Sequence, residues 1–135
     1  MTASIRVLLA DDEPLFVDAV ARALRRRSMA VETAPDGSGA LAASADGKFD
    51  VIILDLKMPG LDGVETLKAL RGRGNETPVL ILSAYADLDQ ASAALREGAV
   101  DYLVKPCAIE DLVIAIEDAS ERASAGRLLR EAGEG

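Results

Sequence analysis

The chain has 135 residues, enough for one domain with a hydrophobic core. Its 15 basic and 23 acidic residues give a formal net charge of −8, which argues against direct binding to nucleic acid or to anionic membranes. It has no histidine and one cysteine, Cys107, which excludes His-based triads and zinc sites, phosphohistidine and an intramolecular disulfide. The N-terminal apolar run is too short for a signal peptide or a membrane span, so we expect a cytoplasmic protein.

Five short apolar runs alternate with stretches of helical periodicity along the chain. The predicted strands cover residues 5–10, 30–34, 50–54, 78–83 and 100–104. A helical pattern follows each strand. Asp62 and Glu65 have the spacing of a capping box at the start of the third helix, and Gly98 ends the fourth.

The end of the chain has a different composition. From Ser120 onward it is polar and alanine-rich and is interrupted by Gly126. We therefore expect one domain over residues 1–121, followed by a helix extension or linker over residues 122–135. Neither an internal repeat nor a second domain is predicted.

Strands separated by helices predict an α/β fold, in which a doubly wound parallel sheet of five strands is covered by five helices. The continuous apolar runs of the first, third and fourth strands are typical of central strands that are buried on both faces. In such sheets the functional site lies beyond the carboxyl ends of the strands. The residues at those ends therefore decide the function.

Charged and polar residues stand at four of these strand ends. They are Asp11, Asp12 and Glu13 after the first strand, Asp55 after the third, Ser83 at the end of the fourth, and Lys105 after the fifth. Simpler roles exist for most of them: Asp12 or Glu13 could cap the first helix, Ser83 could start a turn, and Lys105 could be a solvated charge. None of these roles explains Asp55, which ends a buried strand with no helix start directly after it.

The residues at this edge suit phosphoryl chemistry. Clustered carboxylates repel one another unless a cation joins them, and Mg²⁺ binds carboxylates, carbonyls, water and substrate phosphates. Lys105 adds a positive charge that could neutralise phosphoryl oxygens. Asp55 is then the nucleophile that forms an aspartyl-phosphate. The pattern predicts Mg²⁺-dependent phosphorylation of Asp55.

The segments LLADDE, VIILDLKMPGLDG, LILSA and EGAVDYLVKP resemble the signature segments of bacterial response-regulator receiver domains. The resemblance covers roughly residues 5–121, with all segments in the expected order. It implies the flavodoxin-like strand order 2-1-3-4-5. It also implies a signalling domain rather than an enzyme, whose Asp55 accepts a phosphoryl group from the phosphohistidine of a sensor kinase or phosphotransfer protein.

The resemblance also assigns roles to individual residues. Mg²⁺ would bind Asp12, Asp55 and the backbone carbonyl of Lys57 directly, and Asp11 would hold a metal-bound water. Two further residues, Ser83 and Lys105, would contact the phosphoryl oxygens. Tyr102 would be an aromatic switch that turns inward when Ser83 moves, and the bond before Pro106 would be cis.

In this family such a switch implies repacking of the fourth helix, fifth strand and last helix. That face would then change partners, either a downstream protein, an output domain or a second copy in a homodimer. The sequence shows no output domain, and it identifies neither the cognate kinase nor the pathway.

Two positions that vary in the family support a hypothesis about the lifetime of the phosphate. Lys57 and Tyr85 replace acidic or amide residues often found near the phosphate in fast-hydrolysing members. Lys57 would attract phosphate oxygens and Tyr85 would obstruct the attacking water, so that hydrolysis is slow.

Parts of the sequence are compatible with three other functions. An aspartate-nucleophile phosphatase of the haloacid dehalogenase type needs a second Asp two residues after the first, where this chain has Lys57. A dinucleotide-binding fold would use Gly37 and Gly39, but Asp36 would face the pyrophosphate. The third alternative is a receiver fold that serves only as a docking module and is never phosphorylated.

Overall fold

The computed structural model of the protein describes residues 4–134, with the side chains of all but Tyr85, Arg130, Glu131 and Glu134. Strands and helices alternate along the chain, as the apolar runs predict. The strands are β1 (Arg6–Ala10), β2 (Ala30–Ala34), β3 (Val51–Asp55), β4 (Val79–Ala84) and β5 (Asp101–Lys105). The helices are α1 (Pro14–Arg26), α2 (Gly37–Ala43), α3 (Gly63–Gly72), α4 (Leu88–Arg96) and α5 (Ile109–Glu134), with a short 3-10 helix (Tyr85–Asp87) before α4.

The five strands form one parallel sheet in the order β2-β1-β3-β4-β5. This confirms the predicted fold class and strand order. The predicted strand boundaries are shifted by a residue at several ends, and the shift matters at two of them. Asp55 and Lys105 are the last residues of β3 and β5 rather than the first residues of loops, so sheet hydrogen bonding fixes their backbones.

Alternate residues of the central strands face two separate apolar cores. Leu8, Ile52 and Leu54 point to the core that is covered by α2, α3 and α4. Val7 and Ile53 point to the core that is covered by α1 and α5. Both cores consist mainly of Leu, Ile, Val and Ala, which explains how a chain with only two Phe and no Trp fills its interior.

Helix α3 begins as the sequence predicts. The Asp62 carboxylate accepts a hydrogen bond from the Glu65 backbone N–H at 2.8 Å, and the Glu65 carboxylate accepts one from the Asp62 backbone N–H at 3.0 Å. This reciprocal capping box fixes the direction in which the chain leaves β3. Gly98 follows the end of α4 with a positive φ of 106°, as expected for a helix stop.

Helix α5 is longer than the domain needs. It has 26 residues and continues through Gly126, so the described part of residues 122–135 forms a helix extension, one of the two alternatives that the sequence left open. Its buried residues end at Ala119, and Leu128 and Leu129 are exposed. None of the helices in the described residues 4–134 combines the length and the apolar composition that a membrane span requires.

Candidate functional site

Asp55 lies at the end of the most deeply buried strand. All five residues of β3 are buried, because the strand pairs with β1 on one side and β4 on the other and has a core on each face. The side chain of Asp55 is 8% exposed, so its carboxylate is buried at the end of the sheet where the strands terminate. β3 thus acts as a rigid support for one charged group.

The end of β1 brings three more carboxylates to the same place. Asp11, Asp12, Glu13 and Asp55 each offer a carboxylate oxygen, and these oxygens lie within 4.8 Å of one another. Asp11 is 2% exposed, whereas Asp12 and Glu13 reach solvent. The sheet order explains the cluster, since β1 and β3 are neighbours at the point where the chain order reverses.

Glu13 is a site residue that the sequence placed at the same strand end as Asp11 and Asp12, with a helix cap as its simpler role. It stands at the N-cap position of α1, but its side chain caps nothing there. Instead its carboxylate lies 3.6 Å from the Lys105 ammonium, and its backbone N–H donates to Asp11 Oδ1 at 3.0 Å. The only signal in the sequence is its position directly after the two aspartates.

Lys105 offsets part of the negative charge of this acidic cluster. Its Nζ donates a hydrogen bond to Asp11 Oδ2 at 2.6 Å and lies 3.4 Å from Asp55 Oδ2. The ring of Phe16 lies beneath the ammonium, with its centroid 4.3 Å from Nζ. The side chain of Lys105 is only 13% exposed, so this ammonium is a fixed part of the site and not a solvated charge.

The environment shifts the pKa values of both partners. Burial and the charge of Asp11 raise the pKa of Asp55 to about 6, although Lys105 and the backbone N–H of Lys57 act in the opposite direction. Burial lowers the pKa of Lys105, but the hydrogen bond to Asp11 and the charges of Asp55, Asp11 and Glu13 raise it more, so that the net shift is upward. Lys105 therefore stays protonated near neutral pH.

The raised pKa of Asp55 predicts a pH-dependent stability of the metal-free protein. Because its folded value is above the unfolded value, the folded state binds more protons between about pH 4 and pH 6, and stability falls as the pH rises through that window. We expect Asp55→Asn to raise the free energy of unfolding by about 1–3 kcal/mol at pH 7 and not at pH 4. Urea unfolding in buffer with a chelator measures this. An equal gain at both pH values, or a similar gain for the exposed Asp89→Asn, would contradict the prediction.

The donor set at this edge fits Mg²⁺. All four side chains of the cluster offer carboxylate oxygens, the ligands that a hard cation prefers, and two of the four are open to solvent, so water can complete the coordination. The backbone N–H of Lys57 lies 3.4 Å from Asp55 Oδ1, so the backbone of this residue is close to the Asp55 carboxylate, and its role as a carbonyl ligand stays a prediction.

Ser83 and Tyr102 lie on the neighbouring strands β4 and β5. Ser83 is fully buried, and its hydroxyl has no hydrogen-bond partner among the described residues. Such a group is unusual, since a buried hydroxyl without a partner lowers stability. Tyr102 is 36% exposed and pairs with Ile81 across the sheet, so its side chain is partly turned to solvent in this structure.

Lys57 does not pair with Asp55. Its ammonium lies 3.0 Å from Asp87 Oδ1, and this pair connects the chain after β3 with the residue that precedes α4. The side chain of Lys57 is 68% exposed, whereas that of Asp87 is 9% exposed. The companion hypothesis about Tyr85 concerns a side chain that lies outside the described residues.

Two backbone features lie next to the site. The Lys105–Pro106 peptide bond is cis, as the resemblance implies. Gly63, the first residue of α3, packs on the backbone of β3: a Cβ at this position would lie 2.6 Å from the Asp55 carbonyl oxygen and 2.9 Å from Leu56 Cα. The Gly63 backbone N–H donates to the Leu56 carbonyl at 2.9 Å. The start of α3 is thereby anchored to the strand end that carries Asp55.

Comparison with known proteins places the chain among signalling proteins. The family model for the response regulator receiver domain matches residues 7–117. The transcriptional regulatory protein PrrA of Mycobacterium tuberculosis is 42% identical over 114 residues, which cover 84% of this chain and 49% of PrrA. The chain thus spans about half the length of this curated relative.

Solved structures agree with this finding. The receiver domain of the Francisella response regulator 1452 is 34% identical, with a TM-score of 0.82 over 89% of this chain and 99% of that one. The receiver domain of NtrX from Brucella abortus is 33% identical, with a TM-score of 0.80 over 85% and 98% of the two chains. The family match over most of the chain, together with the strand order and the acidic edge, shows that this chain belongs to the response regulator receiver domain family.

Proposed function

We propose that this receiver domain is a phosphorylation-dependent switch in which Asp55 accepts a phosphoryl group from the phosphohistidine of a sensor kinase or a phosphotransfer protein. One observation supports this function above the others: the Asp55 carboxylate is buried among acidic groups and lies 3.4 Å from the Lys105 ammonium. A phosphoryl group on Asp55 would add negative charge to this acidic environment and therefore needs a cation beside it. Lys105 is close enough to Asp55 to be that cation.

The phosphoryl transfer needs no reactant besides Asp55 and the phosphohistidine donor. A carboxylate oxygen of Asp55 attacks phosphorus, the bond from phosphorus to the histidine nitrogen of the donor breaks, and that nitrogen keeps the electron pair. Asp55 must be ionised to attack, and its pKa of about 6 leaves it mostly ionised at neutral pH. Lys105 neutralises the phosphoryl oxygens, while Phe16 and Asp11 hold its ammonium in position.

Asp11, Asp12, Asp55 and the carbonyl of Lys57 would hold Mg²⁺, and the position of Glu13 adds an acidic group next to them. When bound, Mg²⁺ supplies positive charge that offsets the charges of the carboxylates and the phosphoryl oxygens. Hydrolysis then ends the signal: water attacks phosphorus, inorganic phosphate leaves, and the Asp55 carboxylate is restored. The self-catalysed hydrolysis is slow in this proposal.

The signal would reach a partner through Ser83 and Tyr102. The buried Ser83 hydroxyl, which has no partner among the described side chains and backbone groups, would bond to a phosphoryl oxygen. Its movement leaves space that Tyr102 fills by turning inward, and the face of α4, β5 and α5 repacks. That face would bind a downstream protein, an output domain or a second copy of the chain.

Ser83→Ala tests whether the Ser83 hydroxyl is needed for the response to phosphorylation and not for the unphosphorylated fold. We expect it to keep or raise the free energy of unfolding of the unphosphorylated protein, by up to about 2 kcal/mol, because no hydrogen bond is lost and a buried hydroxyl without a partner is removed. Ser44→Ala is the matched control: its buried hydroxyl donates to the Ala40 carbonyl at 2.7 Å, so about 1 kcal/mol should be lost. In Ser83→Ala the NMR signals of Tyr102 should no longer change on phosphorylation. A full response of Tyr102 in this variant would rule out the relay.

Within this proposal residues 1–121 form the receiver unit, and residues 122–135, largely the continuation of α5, lead toward an output partner. Full-length relatives such as PrrA are about twice as long as the region they share with this chain. A cytoplasmic location follows from the same role, since the phosphoryl donors of this family act there.

Intact mass spectrometry tests the proposal directly. After incubation with a small phosphodonor and Mg²⁺, the chain should gain the mass of one phosphoryl group, and Asp55→Asn should gain none. Chelation of Mg²⁺ should prevent the gain. If wild type gains no mass under either condition, the fold serves as a docking module without phosphorylation. A phosphatase would instead release phosphate from many substrates.

A further inference from the structure

Asp87 is a buried acid that the proposed switch does not use. It stands at the N-cap position of α4, and aspartate is among the residues best suited to cap a helix. Its carboxylate nevertheless makes no capping hydrogen bond. It is turned instead toward the chain after β3, where its Oδ1 lies 3.0 Å from the Lys57 ammonium.

The two partners of this pair differ in their surroundings. Asp87 is buried, and Lys57 is its only ion-pair partner among the described residues. Lys57 is largely exposed, so its long side chain can leave Asp87 without disturbing a core. A buried carboxylate without a partner lowers stability, so the contact ties the β4–α4 connection to the segment after Asp55 as long as Lys57 stays in place.

The position of the pair relates it to the phosphoryl group. β3 and β4 are neighbours, with Asp55 opposite Leu82, so the chain after β3 and the chain after β4 leave the same edge of the sheet next to each other. The Lys105 ammonium, which lies 3.4 Å from Asp55, donates its hydrogen bond to Asp11 and takes no part in this pair. In the resting protein Lys57 pairs with Asp87, but phosphorylation of Asp55 adds further negative charge only two residues away from Lys57 in the chain.

We propose that Asp87 is a positioning residue for Lys57: it holds the lysine away from Asp55 in the resting state and competes with the phosphoryl group for it afterwards. When the Lys57 ammonium moves to the phosphoryl oxygens, Asp87 loses its ion-pair partner. The first turn of α4, which begins directly after Asp87, is then no longer tied to the segment after β3. This gives a second connection from Asp55 to α4, independent of Ser83 and Tyr102. The inference rests on the proposed phosphorylation of Asp55.

Competition for Lys57 predicts the direction in which the affinity for a phosphoryl analogue changes. Removing the charge of Asp87 frees the lysine, so a phosphoryl group or its analogue should bind more tightly. The reciprocal effect is that the analogue weakens the contact between Lys57 and Asp87. When Lys57 is replaced by methionine, the charge of Asp87 has no lysine to withhold, and its removal should have little effect.

Binding of beryllium fluoride with Mg²⁺, as an analogue of the phosphoryl group, tests the inference by a double-mutant cycle. We expect Asp87→Asn to bind the analogue about 5-fold more tightly than wild type, and the gain to disappear in the Lys57→Met background. Asp89→Asn is the matched control, because it removes the same charge from the first turn of α4 at an exposed position. It should leave binding unchanged in both backgrounds.

A second measurement separates positioning from a merely structural role. Amide hydrogen exchange in the first turn of α4 should become faster when the analogue binds to wild type, and should already be fast in free Asp87→Asn. Equal analogue binding by wild type and Asp87→Asn, or the same change in both backgrounds, would overturn the inference. Failure of wild type to bind the analogue at all would instead contradict the proposed phosphorylation of Asp55.

Discussion

Lys105→Met is expected to slow phosphorylation of Asp55 by a small phosphodonor about 10²- to 10³-fold at pH 7. The substitution keeps most of the side-chain length and removes the charge. The ammonium that lies 2.6 Å from Asp11 and 3.4 Å from Asp55 is then lost, and no other cation of the described structure lies within ion-pair distance of Asp55. The oxygens of the transferring phosphoryl group would then lack the positive charge that Lys105 adds to that of Mg²⁺.

The pH dependence of this loss identifies its cause. Lys105 lowers the pKa of Asp55, so its removal should move that pKa above 6, and part of the lost rate should return as the pH rises. Lys48→Met is the matched control: Lys48 also pairs with a carboxylate, Glu32 at 2.9 Å, and its Nζ lies 5.2 Å from the Phe49 ring centroid. Intact mass against time measures both rates. Similar rates for the two variants would exclude the role of Lys105.

Gly63→Ala should destabilise the fold by about 2–3 kcal/mol, a large effect for one added methyl group. The new Cβ would lie 2.6 Å from the Asp55 carbonyl oxygen and 2.9 Å from Leu56 Cα. Both are backbone atoms, so no flexible side chain can move aside. Either α3 moves away from β3 or the end of β3 is displaced.

The other end of the same helix provides the control. A Cβ on Gly72 would meet nothing within 4 Å, and alanine favours helices, so Gly72→Ala should gain up to about 1 kcal/mol. Urea unfolding gives both values. The rate of Asp55 phosphorylation should fall in Gly63→Ala even where the variant is fully folded, because the displaced backbone carries Asp55. Normal stability of Gly63→Ala would show that the contact yields easily.

The sequence was sufficient for the fold because its signals are local. Apolar runs place the strands, and Asp62 and Glu65 cap α3 with residues only three positions apart. The carboxyl ends of parallel strands meet at one edge in any such sheet, so Asp11, Asp55 and Lys105 could be grouped before their distances were known.

The contacts of the site could not be obtained in the same way. Lys57 pairs with Asp87, and Phe16 lies under the ammonium of Lys105, because of side-chain directions that depend on the packed backbone. Neither pair has a spacing that periodicity would reveal. The sequence also could not decide between a helix extension and a linker after residue 121. α5 continues through Gly126 because a glycine weakens a helix by only about 1 kcal/mol and neighbouring residues can offset that.

Because α5 extends well beyond its last buried residue, a small tilt of its packed part moves its far end, as a lever does. From Ala119, its last buried residue, to Glu134 the helix extends about 22 Å at 1.5 Å per residue. A tilt of about 5° in the packed half would move the far end by about 2 Å. Small changes between α5 and the sheet are thereby enlarged with distance. Because a residue advances a helix by about 100°, adding one residue beyond Ala119 would change the direction of the lever's end without altering the site at Asp55.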